Sequence, residues 1–209
     1  RIAIQGELLS AGYFGIENVL SLTGDHTVVG DNPQAKPVFD LDSISILQAG
    51  EILMFGKDMG QNDLHGTPKF FLGASVTPEY DPFELQLMKM KKKINAGAKF
   101  FQTQGVYDIE TMRKFRKATK NLDAYVLAGI IPLKSAGMAK YMNKNVPGIN
   151  VPDHLIDRLK NSSNKVHEGI KIAAEFIRQL KEEDLCDGVH IMAIGAEENV
   201  PLILDEVGI

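Results

Sequence analysis

FFLGASVTPEYDPFELQLMKMKKKINAGAKFFQTQGVYD, residues 70–108, holds a complete strand–helix–strand unit. Its outer runs, Phe70–Val76 and Phe100–Val106, are nearly continuous apolar stretches rather than strict alternations. That pattern belongs to strands covered on both faces, as in a parallel sheet. Between them, Asp81-Pro82-Phe83-Glu84 is a helix-start signal. The aspartate caps, the proline takes the first helical position, and the glutamate reaches back. Phe83, Leu87, Met90 and Ile94 follow at spacings near one helical turn and form one stripe. Parallel strands joined through a helix require a crossover, and such crossovers are right-handed.

The same alternation continues outward from this unit. Three further β-rich runs stand at Glu17–Thr23 (ENVLSLT), Tyr125–Ile131 (YVLAGII) and Gly188–Ile194 (GVHIMAI). Asp42 and Ser43 can cap a helix that carries Ile44, Ile46 and Leu47. Asp108 can cap one with Ile109, Met112 and Phe115, and Ser135 a short one. Asn164–Glu182 spans several turns, with Val166, Ile170, Ala174, Ile177 and Leu180 on one stripe. Arg1–Leu9 reads as an amphipathic helix without a start signal, and Glu197–Val207 as a closing helix. Such alternation gives an α/β fold, either a doubly wound sheet or a (β/α)8 TIM barrel. A barrel uses eight strands over roughly 250 residues. Five runs are present, so a barrel would place its first three strands upstream of Arg1. Residues 1–209 would then be one partial barrel domain. Two long loops interrupt the pattern, Gly24–Pro37 directly after a strand and Phe55–Lys69 with three glycines and a proline.

The composition is that of an ordinary globular protein, with 44% apolar and 24% charged residues. Wholesale disorder and collagen-like structure are excluded. A net charge of −4 leaves no electrostatic footprint for nucleic acid. The single cysteine, Cys186, cannot close an internal disulfide, so a reducing, cytoplasmic setting is expected. No stretch has the length of a membrane span or the make-up of a secretion signal. Neither G-x-G-x-x-G nor G-x-x-x-x-G-K-[ST] occurs. The histidines, His26, His65, His154, His167 and His190, show no metal-ligand spacing, and no metal site is expected. Lys89, Lys91, Lys92 and Lys93 read as a solvated helix face, with Lys93 closest to the next strand.

In a parallel sheet, chemistry collects at the C-terminal ends of the strands. Those ends carry Thr23-Gly24-Asp25-His26, Ser75 with Thr77-Pro78-Glu79, Thr103-Gln104-Gly105, Pro132-Leu133-Lys134-Ser135 and Gly195-Ala196-Glu197-Glu198. Polar groups at the rim of an apolar core are what a cofactor or substrate pocket requires. Asp25 is either a carboxylate directed into the pocket mouth or a cap for the next turn. Gln104 is either a ligand contact or a satisfied structural amide, because an unpaired buried amide is costly.

Seven segments carry a resemblance to a known family. They are GIENVLSLTGDH (15–26), AKPVFDLDS (35–43), FFLGASVTPEYDP (70–82), KKKINAGAKFFQTQGVYD (91–108), AGIIPLKSAGMAKYMN (128–143), VPGINVPDHLIDRL (146–159) and GVHIMAIGAEENVP (188–201). In this order and spacing the chain resembles the methylenetetrahydrofolate reductase family over nearly its whole length. The resemblance implies a (β/α)8 barrel with FAD at the strand C-termini. It implies reduction of 5,10-methylenetetrahydrofolate to 5-methyltetrahydrofolate by hydride transfer from reduced FAD, in one-carbon metabolism and methionine biosynthesis. Asp25 matches the aspartate beside flavin and pterin, where its charge disfavours an anionic reduced flavin and its oxygens can accept from the pterin ring. Thr23, Gly24 and His26 match the same flavin-contacting loop. Asp40, Thr77 and Lys93 match FAD-contacting positions, and Lys93 suits the pyrophosphate as a point charge. Gln104 matches the glutamine that serves both folate and reductant, and Met138 falls at a position lining the folate site.

Two departures stand out. Met142 occupies the folate-site position where family members often stack an aromatic ring, and Ala196 stands where some have an arginine for the folate tail. The family's general-acid glutamate, at the end of the first strand, would precede Arg1, so the resemblance implies that the isolated 209 residues lack turnover. NADH or NADPH is the expected reductant. GKDMGQNDLHGTPKFFLG (56–73) resembles forms fed by an iron–sulfur partner subunit. An oligomer is expected. The alternatives are a non-catalytic barrel subunit docking such a partner, and a barrel lyase with Lys93 or Lys134 as Schiff-base nucleophile.

Overall fold

The computed structural model describes residues 1–209. Its elements are α1 (Ile2–Tyr13), β1 (Asn18–Ser21), α2 (Ser43–Met54), β2 (Phe71–Val76), α3 (Phe83–Asn95), β3 (Phe100–Gly105) and α4 (Ile109–Thr119). They continue with β4 (Tyr125–Ile130), α5 (Ala136–Asn145), α6 (Asp153–Asn161), α7 (Lys165–Glu182), β5 (Gly188–Ile191) and α8 (Asn199–Val207). Each of the apolar runs is a strand, and the strands follow in chain order in one five-stranded sheet. β1 pairs parallel with β2, and β4 with β5. The class is therefore α/β. Contacts divide the chain into two compact units, Arg1–Ser75 with Lys89–Phe101, and Val76–Met88 with Gln102–Ile209.

In the first unit, Leu8 on α1 meets Ala49 and Leu53 on α2, with Ile4, Val19, Met59, Leu64 and Phe70 packed around them. Gly12 permits close approach of α1 to the chain before β2, since a Cβ there would stand 2.7 Å from the Pro68 Cβ. α2 starts where Asp42 accepts from the Ser45 amide at 2.8 Å, as the sequence predicts. The Phe55–Lys69 loop closes on itself. Lys57 and Asp63 bridge, and Asp58 accepts from the Asn62 amide at 2.8 Å. The Phe71 and Phe100 rings stack with centroids 5.5 Å apart.

In the second unit, the capping aspartate and the stripes appear as read. Asp108 accepts from the Thr111 amide at 2.9 Å, and Met112 and Phe115 are buried on α4. Ser135 caps α5 and Asn164 caps α7. Ile170, Ala174, Ile177 and Leu180 are buried along α7, whereas Val166, in its first turn, is exposed. One helix start differs from the sequence reading. The Leu85 amide donates to the Pro82 carbonyl at 3.2 Å, so a tight opening turn makes Phe83 the first helical residue and removes Asp81 from the cap position. α6 was not expected. It is only 9 residues long, but Leu155, Ile156 and Leu159 give it a buried face. Those side chains join Tyr107, Ile131, Leu133, Ala139, Met142, Ile149, Val151 and Ile172 in one core cluster.

Candidate functional site

The first unit gathers polar groups at the end of β1 and the start of α2. The buried Ser21 hydroxyl donates to the Ser43 carbonyl at 2.8 Å, and the Ser43 amide donates to the Thr23 hydroxyl at 3.1 Å. These bonds fix the N-terminus of α2 against the end of β1. Lys93 lies half-buried on α3, its Nζ donating to the Ser75 carbonyl at 2.7 Å. Burial pushes its pKa down, the neighbouring Lys89 adds to that, and Asp42 opposes it. Lys93 is therefore not one of the solvated lysines of its helix. A partly desolvated ammonium gains from an added anion more than an exposed one does.

The remaining candidates of this unit lie in the exposed chain after β1. Gly24 and Asp25 are exposed, and a Cβ at Gly24 would meet nothing within 4 Å. The next turn is capped by His26, whose Nδ1 accepts from the Val28 amide at 3.3 Å. Of the two readings of Asp25, the turn cap is thus taken by its neighbour. The His26 ring lies 6.3 Å from Phe39. Asp40 pairs with Arg1 at 2.9 Å, and that bond holds its carboxyl below the usual range.

The second unit carries Thr77, Gln104, Met138 and Met142. Thr77 packs against Gly148, where a Cβ would collide with its methyl group. Gln104 is half-buried, and its Oε1 accepts from the Gly105 amide at 3.2 Å. That bond satisfies the carbonyl end of the amide locally. Thr103 ties the neighbouring strand, accepting from the Gly129 amide at 2.8 Å and donating to the Gln104 carbonyl at 2.7 Å. Met138 is half-buried on the first turn of α5, and Met142 is 5% exposed inside the core cluster. Ala196 is buried as well, so that position offers no group to a ligand tail. Lys134 donates to the Ile194 carbonyl at 2.7 Å.

Glu79, which the sequence places among the strand-end polar groups without a role, is the carboxyl of this unit that burial raises most clearly. Both of its side-chain oxygens are buried without a hydrogen-bond partner. Burial pushes its pKa up to about 7, and the Asp108 carboxylate adds to the rise. The backbones of Asn150 and Tyr107 pull the other way without reaching hydrogen-bond geometry. The Tyr107 hydroxyl donates instead to the Ile131 carbonyl at 2.7 Å. The available sequence signal was a carboxylate three residues beyond a doubly covered strand. A separate cavity of about 200 Å³ lies against α6 and α7, but its cation, Arg158, is committed to Glu168 and Glu175.

A model of the family described as methylenetetrahydrofolate reductase matches residues 1–208. The chain belongs to the methylenetetrahydrofolate reductase family. Relatives include the probable methylenetetrahydrofolate reductase (NADPH) of Caenorhabditis elegans, 24% identical over 97% of this chain and 30% of that protein. The 5,10-methylenetetrahydrofolate reductase of Pectobacterium carotovorum subsp. carotovorum is 25% identical over 93% of this chain and 61% of that protein. This member of the family thus spans less than two thirds of the relatives it matches. Among solved structures, an uncharacterized protein from Clostridium thermocellum shares the fold with a TM-score of 0.53 and 17% identity, over 91% of this chain and 70% of that one. That protein is described as binding two copies of 5-methyl-5,6,7,8-tetrahydrofolic acid. No helix of this family member is long and apolar enough to cross a membrane.

Proposed function

We propose that this chain takes part in the flavin-dependent reduction of 5,10-methylenetetrahydrofolate to 5-methyltetrahydrofolate. The observation that carries the reading is the family match over residues 1–208. The Clostridium thermocellum protein, with its bound methyltetrahydrofolate, supports a folate as the ligand class. FAD would supply the hydride chemistry, and the protein would bind and orient it.

The first unit offers a fitting contact for the anionic part of such a cofactor. Lys93 is a half-buried cation whose present partner is a neutral carbonyl, and a pyrophosphate oxygen would suit it better. Asp42 already holds the Ser45 amide, so Lys93 and the Thr23 hydroxyl are the proposed contacts rather than the α2 terminus itself. Asp25 is exposed and outside the turn cap, which leaves its carboxylate available to accept from pterin N–H groups. Gly24, His26 and Asp40 are proposed as flavin contacts of the same unit, and Asp40 would first exchange its bond to Arg1.

In the second unit, Thr77 is proposed for the cofactor, and Gln104 and Met138 for the folate. The Gln104 side-chain carbonyl is held by Gly105, which directs its amide donors elsewhere. Met142 would act from the core, supporting Met138 rather than touching the ligand broadly. The electron donor would be NADH, NADPH or an iron–sulfur subunit.

The test is a visible spectrum of the longest expressible form of the protein, before and after anaerobic 5-methyltetrahydrofolate. A yellow protein that bleaches supports the reading, and a flavin that stays oxidised refutes the folate assignment. A barrel lyase is the second reading, because Lys93 has the lowered pKa such chemistry requires. Borohydride with a carbonyl substrate would trap a Schiff base on Lys93 in that case and leave it unmodified in the first.

A further inference from the structure

The second unit contains an ionisable group that the proposed reaction does not use. Glu79 follows β2, on the segment that leads to α3, and both of its carboxyl oxygens are shut away from solvent with nothing to bond. The elements packed against it add no compensating cation. The chain after β3 brings Tyr107 and Asp108, and Asp108 repels a charge on Glu79. Asn150 brings a backbone amide that stops short of hydrogen-bond geometry. The nearest cation of the neighbouring hollow, Lys114 on α4, sits 4.3 Å from the Phe83 ring centroid and faces that ring. Asp81, on Glu79's own segment, adds a second negative residue to the hollow, and the Thr111 hydroxyl donates to the Asp108 carboxylate.

A dry, unpartnered carboxyl is tolerable when neutral and costly when charged. An exit is at hand. The hollow of about 280 Å³ beside Glu79, lined by Tyr80, Asp81, Phe83, Thr111, Lys114 and Asn150, is open to solvent and holds an ammonium. We propose that Glu79 is a proton-operated latch: protonated, it locks the Thr77–Asp81 segment against the β3–α4 junction, and ionised, it swings toward the hollow and releases that segment.

The structure supplies a reporter. The Tyr80 amide donates to the Thr77 carbonyl at 3.2 Å, so its hydrogen exchange measures opening of this segment. The closed state holds its proton to about pH 7, and an open, solvated carboxyl would titrate near the ordinary value of 4.5. Linkage then requires opening to grow as pH rises between those two values and to level off above the upper one. The limit is about tenfold per pH unit, reduced by solvent screening.

Exchange at Tyr80 is measured from pH 5 to 8, corrected for intrinsic rates, in the full chain and in Glu79→Gln. The wild type should open at least about tenfold more often at pH 8 than at pH 5, with the rise ending near neutrality. Glu79→Gln should be flat. If that variant does not fold, Asp108→Asn serves, because it keeps a capping oxygen and removes the repelling charge. Its rise should end at a lower pH. A flat wild-type profile overturns the latch, and so does a rise that survives unchanged in Glu79→Gln or Asp108→Asn. None of these readouts depends on flavin or folate.

Discussion

Gly169 sits on the inner face of α7, where the helix backbone runs directly over the Leu133 carbonyl. A Cβ added there would stand 1.7 Å from that oxygen and 2.8 Å from its carbon. An ordinary carbon–oxygen contact is about 3.3 Å, so Gly169→Ala must drive α7 away from Leu133 by roughly 1.6 Å. The obstacle is backbone, which cannot rotate aside as a side chain can. The displaced helix buries Ile170, Ile172, Ala173, Ala174, Ile177 and Leu180, and even a gap of about 1 Å forfeits up to half of each dispersion contact it opens. Overpacking alone costs about 1–3 kcal/mol. Alanine returns about 1 kcal/mol through helix propensity. The repulsion and the lost contacts together outweigh that return, and Gly169→Ala should destabilise the second unit by about 2–3 kcal/mol. Urea unfolding followed by circular dichroism should show the midpoint falling by roughly 1 M or more. A variant within about 0.5 kcal/mol of wild type, or more stable, would refute this account of the α7 packing.

The opposite sign is expected for Gly6→Ala on α1. Gly6 is exposed with nothing within 4 Å, so the same substitution should slow hydrogen exchange of α1 through a gain of about 1 kcal/mol. Glu79→Gln should alter the pH dependence of stability. The folded-state pKa of about 7 exceeds the ordinary 4.5, so wild-type stability should fall as pH rises between them and stay level above. Full burial would make the loss about 3 kcal/mol, and partial exposure brings it to about 1–2 kcal/mol. Denaturation at pH 5 and pH 8 should show that fall in wild type and not in the variant. Asp108→Ala removes the α4 cap and should cost about 1–2 kcal/mol at pH 5. It should cost less at pH 8, where removing a repelling charge beside ionised Glu79 offsets part of the loss.

What was legible in the sequence follows the range of the interaction that writes it. The strands were legible because a strand covered on both faces shows its burial in consecutive residues, as positions 72–76 and 126–130 do behind an exposed first residue. Helix starts at Asp42, Asp108 and Ser135 were legible because a cap bonds an amide two or three residues away. Asp81 carried the same type of signal and failed, since Pro82 closes a tighter turn just inside it. α6 escaped because it follows a stretch holding Pro147 and Pro152 and has only three apolar positions, Leu155, Ile156 and Leu159, within its 9 residues, too short a stripe from which to read a period.

The candidate site divides in the same way. The family match runs over residues 1–208, segments 15–26 and 91–108 included, yet says little about which of their groups are free. Asp25 and His26 illustrate this. Either could cap the turn after β1 by local rules, and the structure gives the bond to His26. That leaves Asp25 exposed, where a ligand can reach it. Lys93 was one of four lysines in five residues, and only packing against the Ser75 carbonyl separates it from Lys89, Lys91 and Lys92. Glu79 lies further from any sequence rule, because an unpaired carboxylate is defined by donors that fail to arrive from β3, α4 and Asn150. A proton can remain on Glu79 at neutral pH for the same reason, so the residue hardest to read from sequence is the one whose chemistry depends most on the fold.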